Sequence, residues 1–217
     1  MASQGTRKSR IPLSTAAKKA GNARRPRPSR KEGSVARIKV TIANIRPPVW
    51  RRLEVPLSSS FADLHDILQI AFAWQDYHLH LFDVAGVKIG TPDDEWEEEG
   101  IDEEQVRLGQ FLETGDRFTY EYDFGDDWIH HAVVEDILPP DPAATHPRCL
   151  GGRRPAPPED SGGPWGYARM LEILADPDDE DHDEIAEWIG EEWDPEAFDR
   201  EAINRELASL GRGKGGR

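Results

Sequence analysis

The sequence predicts an α+β fold: a mixed or antiparallel sheet crossed by one helix, with a helical extension at the C-terminal end. Three observations predict it. Segments in which apolar and polar residues alternate recur between residues 37 and 138, joined by short turns. One amphipathic helix interrupts them at 61–74. Beyond a Pro- and Gly-rich connection, the apolar spacing changes from two to that of helices. The order hairpin, helix, strands, hairpin is similar to a β-grasp arrangement.

The elements follow in turn. Arg37–Ile42 places Ile38, Val40 and Ile42 on one strand face. Asn44–Pro48 turns the chain, Val49–Val55 returns it, and Pro56 ends the hairpin. Ser60 is an N-cap with Asp63 at the third helical position. Phe61, Leu64, Ile67, Leu68, Ala71 and Phe72 then recur at helical spacing. A strand carrying His78 and His80 runs to Val84, Ala85-Gly86 turns, and Val87–Ile89 is a short strand. Residues 106–112 form a short ordered stretch. Strands 117–123 and 128–138 make a second hairpin. Residues 139–163 are too rich in breakers for regular structure. Helices are expected at 164–175, 180–189 and 196–210, each with a buried apolar face.

Charge divides the chain. Residues 1–37 hold eleven Lys or Arg and one acid, a net +10, while the whole chain is −15, leaving −25 on residues 38–217. Residues 1–34 have little apolar surface to offset ordering entropy and are expected as a disordered basic tail. Residues 35–210 form the folded domain, and 211–217 a flexible C-terminal tail. The acidic domain repels polyanions, so weak nonspecific nucleic-acid binding is expected only through the N-terminal tail. The Arg- and Ser-rich start also resembles an organellar transit peptide; a solubilising tail is the simpler reading. The single Cys149 excludes an intrachain disulfide. No apolar run approaches the ~20 residues of a membrane span. A cytoplasmic protein without membrane association is expected. Residues 93–104 carry nine carboxylates but lack a calcium-loop pattern, and read as a solvated acidic loop.

Two motifs concentrate chemistry. Tyr120–His130 reads strand, turn, strand, with Gly125 in the turn and Trp128 and His130 on one face. Trp74–Phe82 adds His78 and His80, two apart and therefore on the same face of a strand. The candidate binding residues are His78, His80, Asp123, Asp126, Trp128 and His130. Should the hairpin lie beside the His80 strand, three imidazoles and a carboxylate would make an adequate divalent-ion ligand set. The competing reading is that these groups hydrogen-bond one another and brace an aromatic core. Asp123-Phe124-Gly125 lacks the other kinase motifs, so a kinase is rejected. Trp50 with Arg51 and Arg52 has the composition of a nucleic-acid contact. Period two puts Trp50 and Arg52 on one face and Arg51 on the other, and the simpler reading pairs both arginines with the acidic body. Glu159-Asp160 and Ser161 more simply launch the helix at Pro164 than catalyse anything.

Several blocks together resemble one family. They are Ile45–Arg52, Tyr77–His80, Tyr120–His130, Pro157–Tyr167, Trp188-Ile189-Gly190, Asp194–Asp199 and Asn204. Spanning about 35–210, they are similar to the plasmid pRiA4b ORF-3-like family, whose members are often labelled insertion-element passenger (TnpR-type) proteins. The resemblance implies an association with mobile elements or plasmids and no known activity. Many members have cysteines where this chain has Ala156 and Ser161. With only Cys149 remaining, a cysteine zinc site is not expected here.

The function expected is therefore a non-enzymatic interaction or binding module with a protein partner and no metal or cofactor. The alternative is a metal-dependent hydrolase or nuclease using His78, His80, Asp126 and His130, with Asp123 in support.

Overall fold

The computed structural model describes residues 33–91, 100–139, 141, 143–190 and 193–213. The expected N-terminal tail lies almost wholly outside the described residues, as does much of the acidic run.

The alternating segments form one eight-stranded sheet. In chain order the strands are β1 (Val35–Ile42), β2 (Trp50–Pro56), β3 (His80–Val84), β4 (Val87–Gly90), β5 (Ile101–Asp102), β6 (Arg117–Tyr122), β7 (Trp128–Leu138) and β8 (Arg148–Arg153). Across the sheet the order is β5-β4-β3-β6-β7-β1-β2-β8. The β4–β5 pair is parallel and every other pairing antiparallel. This is the α+β, largely antiparallel architecture the alternation predicts. Nothing in the strand order singles out a β-grasp.

Helix α1 (Phe61–Phe72) crosses the inner face. Its start is the N-cap the sequence predicts, completed as a capping box: Asp63 N–H donates to Ser60 Oγ at 2.9 Å, and Ser60 N–H to the Asp63 carboxylate at 2.8 Å. The core forms where its apolar stripe meets the sheet, joining Phe61, Leu64, Leu68 and Phe72 to Ile38, Val40 and Ile42. A short helix α2 (Leu108–Phe111) precedes β6, and helices α3 (Gly163–Ala175), α4 (His182–Ile189) and α5 (Arg200–Gly213) complete the chain. Helix α5 packs on β8 and α1 and continues into the segment expected as a tail.

Three local expectations are corrected. Residues 148–153 form strand β8, because an edge strand beside β2 tolerates Gly151 and Gly152. At Gly152 a Cβ would strike the Phe198 ring and the Trp50 carbonyl, so glycine lets the segment leading into α5 approach the sheet. His78 does not share a strand face with His80. Asp76, at φ 58°, turns the chain after α1, and β3 begins only at His80. Lastly, Arg52 pairs with the acidic body, bonding Glu135 at 2.7 and 2.9 Å, but Arg51 does not. Instead Arg51 turns inward and is buried. On the outer face Lys39 and Arg52 lie over the Trp50 ring, which makes this aromatic-basic cluster an intramolecular contact. None of the helices among the described residues is long and apolar enough to cross a membrane.

Candidate functional site

His78 enters its site from the irregular segment between α1 and β3. Its Nε2 is buried and makes no hydrogen bond. Three carboxylate oxygens surround it: Asp160 Oδ1 at 3.3 Å, Asp123 Oδ2 at 3.6 Å and Glu159 Oε2 at 3.8 Å. Each carboxylate is placed by separate structure. Asp123 leaves β6 at φ 58° and caps the hairpin turn, its Oδ1 accepting from Gly125 N–H at 2.9 Å. Glu159 accepts from Gln75 N–H at 2.8 Å and from the Tyr122 hydroxyl at 3.1 Å. Burial and the Glu159 charge push the Tyr122 hydroxyl far above its ordinary pKa, so it remains a donor. The loop carrying Glu159 and Asp160 is fixed by Trp74 Nε1, which donates to the Pro157 carbonyl at 2.9 Å.

The ligand atoms of His78, Asp123 and Asp160 all lie within 4.8 Å of one another, close enough to hold one ion. Two ligand atoms about 2.0–2.2 Å from a tetrahedral zinc stand about 3.3–3.6 Å apart. Those are the distances from His78 Nε2 to Asp160 and Asp123. Tyr77, Leu79 and Phe124, which adjoin His78 and Asp123 in the chain, are large apolar side chains left 68, 61 and 42% exposed, and Trp165 in the first turn of α3 is 88% exposed.

A second polar group lies nearby but is closed. His80 Nε2 meets Glu103 Oε2 at 2.7 Å. Glu103 also accepts from the Thr91 hydroxyl at 3.1 Å. His65 bridges the Tyr120 hydroxyl, 2.8 Å from Nδ1, and Asp76, 2.9 Å from Nε2. Gln69 Nε2 donates to the same hydroxyl at 3.0 Å. The hydroxyl proton can therefore serve His65 Nδ1, and the Nε2 proton Asp76. His65, Asp76 and His80 are close enough to share an ion, but these nitrogens already have partners.

The six sequence candidates thus go to different places. His78 and Asp123 meet at the open cluster, while His80 belongs to the closed one. Asp126 accepts from Gly162 N–H at 3.0 Å and ties α3 to the hairpin. Trp128 and His130 lie in the core, 1 and 0% exposed. His130 Nδ1 is 2.9 Å from the Trp128 carbonyl, among the rings of Phe72, Trp74 and Tyr120. Burial lowers its pKa to about 4. The four-residue hydrolase set does not converge, because alternation along β7 aims His130 at the helix-covered face. Sequence reasoning missed His65, whose signal was a polar side chain within the buried stripe of α1. It also assigned Glu103 to a solvated loop, yet this side chain is 6% exposed.

Comparison with known proteins agrees with this architecture. The chain is 42% identical over 159 residues to the uncharacterized protein y4hQ of Sinorhizobium fredii (strain NBRC 101917 / NGR234), covering 72% of this chain and 81% of that protein. It is also similar to the crystal structure of MM3350 from Methanosarcina mazei Go1, a protein of unknown function. That match has 38% identity and a TM-score of 0.73, covering 78% of this chain and 97% of the other. The family model described as plasmid pRiA4b ORF-3-like protein matches residues 34–202. The chain belongs to the plasmid pRiA4b ORF-3-like family.

Proposed function

We propose that the chain is a non-enzymatic binding module that holds a divalent cation on His78, Asp123 and Asp160, with Glu159 beside them, and meets a protein partner through the apolar side chains around that site. The observation that carries the reading is the buried, unbonded His78 Nε2 facing carboxylate oxygens at tetrahedral ligand spacing. A neutral imidazole nitrogen and carboxylates together suit zinc or manganese. The exposed Tyr77, Leu79 and Phe124 support the partner surface. The 73% exposure of the Asp160 side chain makes the site shallow, which favours a docking role over a sequestered reaction. An association with plasmids is supported by the family description alone. Weak nucleic-acid binding through residues 1–37 is supported by their net charge.

The test is isothermal titration of tag-free protein with Mn2+ and with Zn2+. One equivalent should bind, and Asp123→Asn and His78→Gln should each weaken binding tenfold or more. No binding of either ion, or unchanged affinity in both variants, would refute the reading. Metal-dependent cleavage of bis(p-nitrophenyl) phosphate by the wild type, abolished in Asp123→Asn, would move it to a hydrolase.

A further inference from the structure

Period two along β2 turns Arg51 onto the inner face, opposite Val40 of β1. There it is 3% exposed. Backbone carbonyls take three of its hydrogen bonds: Nε donates to Ala71 at 2.7 Å, and Nη1 to Trp50 at 2.9 Å and Arg153 at 3.2 Å. The guanidinium lies over the rings of Phe72 and Phe198, 5.1 and 5.0 Å from their centroids. No carboxylate pairs with it among the described residues, and Nη2 has no partner there. A buried charge left without a counter-ion is unusual, because desolvation is costly unless an opposite charge answers it. Burial lowers its pKa to about 10, which leaves it cationic at neutral pH.

Arg51 lines a cavity of about 460 Å³ between the end of α1, the 155–158 loop, α4 and α5. Much of the wall is apolar, from Phe72, Trp188, Trp193, Phe198 and Ile203. This size and composition match a small-molecule site, an apolar cleft with few polar anchors. The exposed Asp199 and Glu206 also line it. Their charges oppose every anion and a multiply charged phosphate most, so the anion that one buried cation can hold here is a monoanion.

We propose that this cavity binds a small carboxylate with an apolar body. One carboxylate oxygen accepts from Arg51 Nη2 and the body lies against Trp188, Trp193 and Phe198. This site is separate from the His78 cluster and does not depend on it. The ion pair forms in a desolvated setting, where charge-assisted hydrogen bonds are strongest.

The experiment is isothermal titration of the full chain with decanoate, 4-phenylbutyrate and 1-naphthoate, each beside its neutral primary amide. At least one acid should bind ten times more tightly than its amide. Arg51→Met should remove that preference, and Ala202→Trp, which fills the cavity and changes no partner of the guanidinium, should abolish binding of the acid. Absence of binding by all three acids, or equal affinity for acid and amide, overturns the proposal. Should Arg51→Met fail to fold, Ala202→Trp decides, and undiminished acid binding in that variant overturns it as well.

Discussion

The imidazoles of His65 and His80 stack face to face, with centroids 3.5 Å apart and planes 7° from parallel. With Asp76 the two rings lie within reach of one shared ion. Each instead engages its own carboxylate, Asp76 or Glu103. Burial first, and then the charge of His80, hold the His65 pKa below the ordinary histidine range. Glu103 is also depressed: burial alone would raise it, but His80, with Thr91 and His65 behind it, more than offsets that.

His80→Ala should therefore destabilise the fold by about 3 kcal/mol, because it leaves the buried Glu103 carboxylate with only the Thr91 hydroxyl to answer it. Chemical denaturation measures this. In the same variant the His65 resonance should titrate at higher pH than in the wild type, since a neighbouring charge and some burial are removed. An unchanged His65 titration would show that the stack does not couple the rings.

His130 sets an acid limit on stability. Unfolded, its imidazole takes a proton near pH 6.5; folded, only near pH 4. Between those values the unfolded state holds more protons, so stability is full above about pH 6.5 and falls as pH drops toward 4. The loss attributable to this residue is about 3 kcal/mol. In denaturant titrations across this range, His130→Phe should show a shallower dependence than the wild type. Parallel curves would mean that His130 is not buried neutral.

Trp128→Ala should cost ~3–5 kcal/mol, the range for truncating a large aromatic in a packed core. The indole is 1% exposed and lies 6.2 Å from the Trp74 ring. Thermal melts that coincide would place Trp128 in a groove rather than in the core.

Removal of residues 1–32 should abolish DNA binding. The full chain should bind weakly, with affinity falling steeply as salt rises, because counterion release by a basic segment has that dependence. Fluorescence anisotropy with a labelled duplex at several salt concentrations checks this. Salt-insensitive binding by both proteins would place the interface on the fold.

The fold was legible where one strand face is buried and the other is wet. Ile38, Val40 and Ile42 alternate with polar residues and are all buried, so sequence parity and structure agree. The same parity in β7 puts Trp128, His130, Ala132 and Val134 on the inner face, which already argued for a core role. Strand β8 was hidden because its Gly152 serves a long-range contact with Phe198 that no local pattern encodes. The site was half legible. His78 and Asp123 stood out among aromatics, whereas Glu159 and Asp160 lay in a breaker-rich loop. Their placement depends on the distant Trp74–Pro157 hydrogen bond.

That loop is held at both ends. Trp74 fastens the Pro157 carbonyl, and five residues later Asp126 fastens the Gly162 amide. At Gly163, with φ 67°, a Cβ would collide with the Asp126 carbonyl, so helix and hairpin turn touch backbone to backbone. So short a span between two anchors has few conformations to lose. The entropy of bringing Glu159 and Asp160 to His78 is thus met during folding, and whatever binds there finds its carboxylates already arranged. Any side chain larger than hydrogen at position 163 would act as a wedge, loosening the arrangement without removing a single ligand.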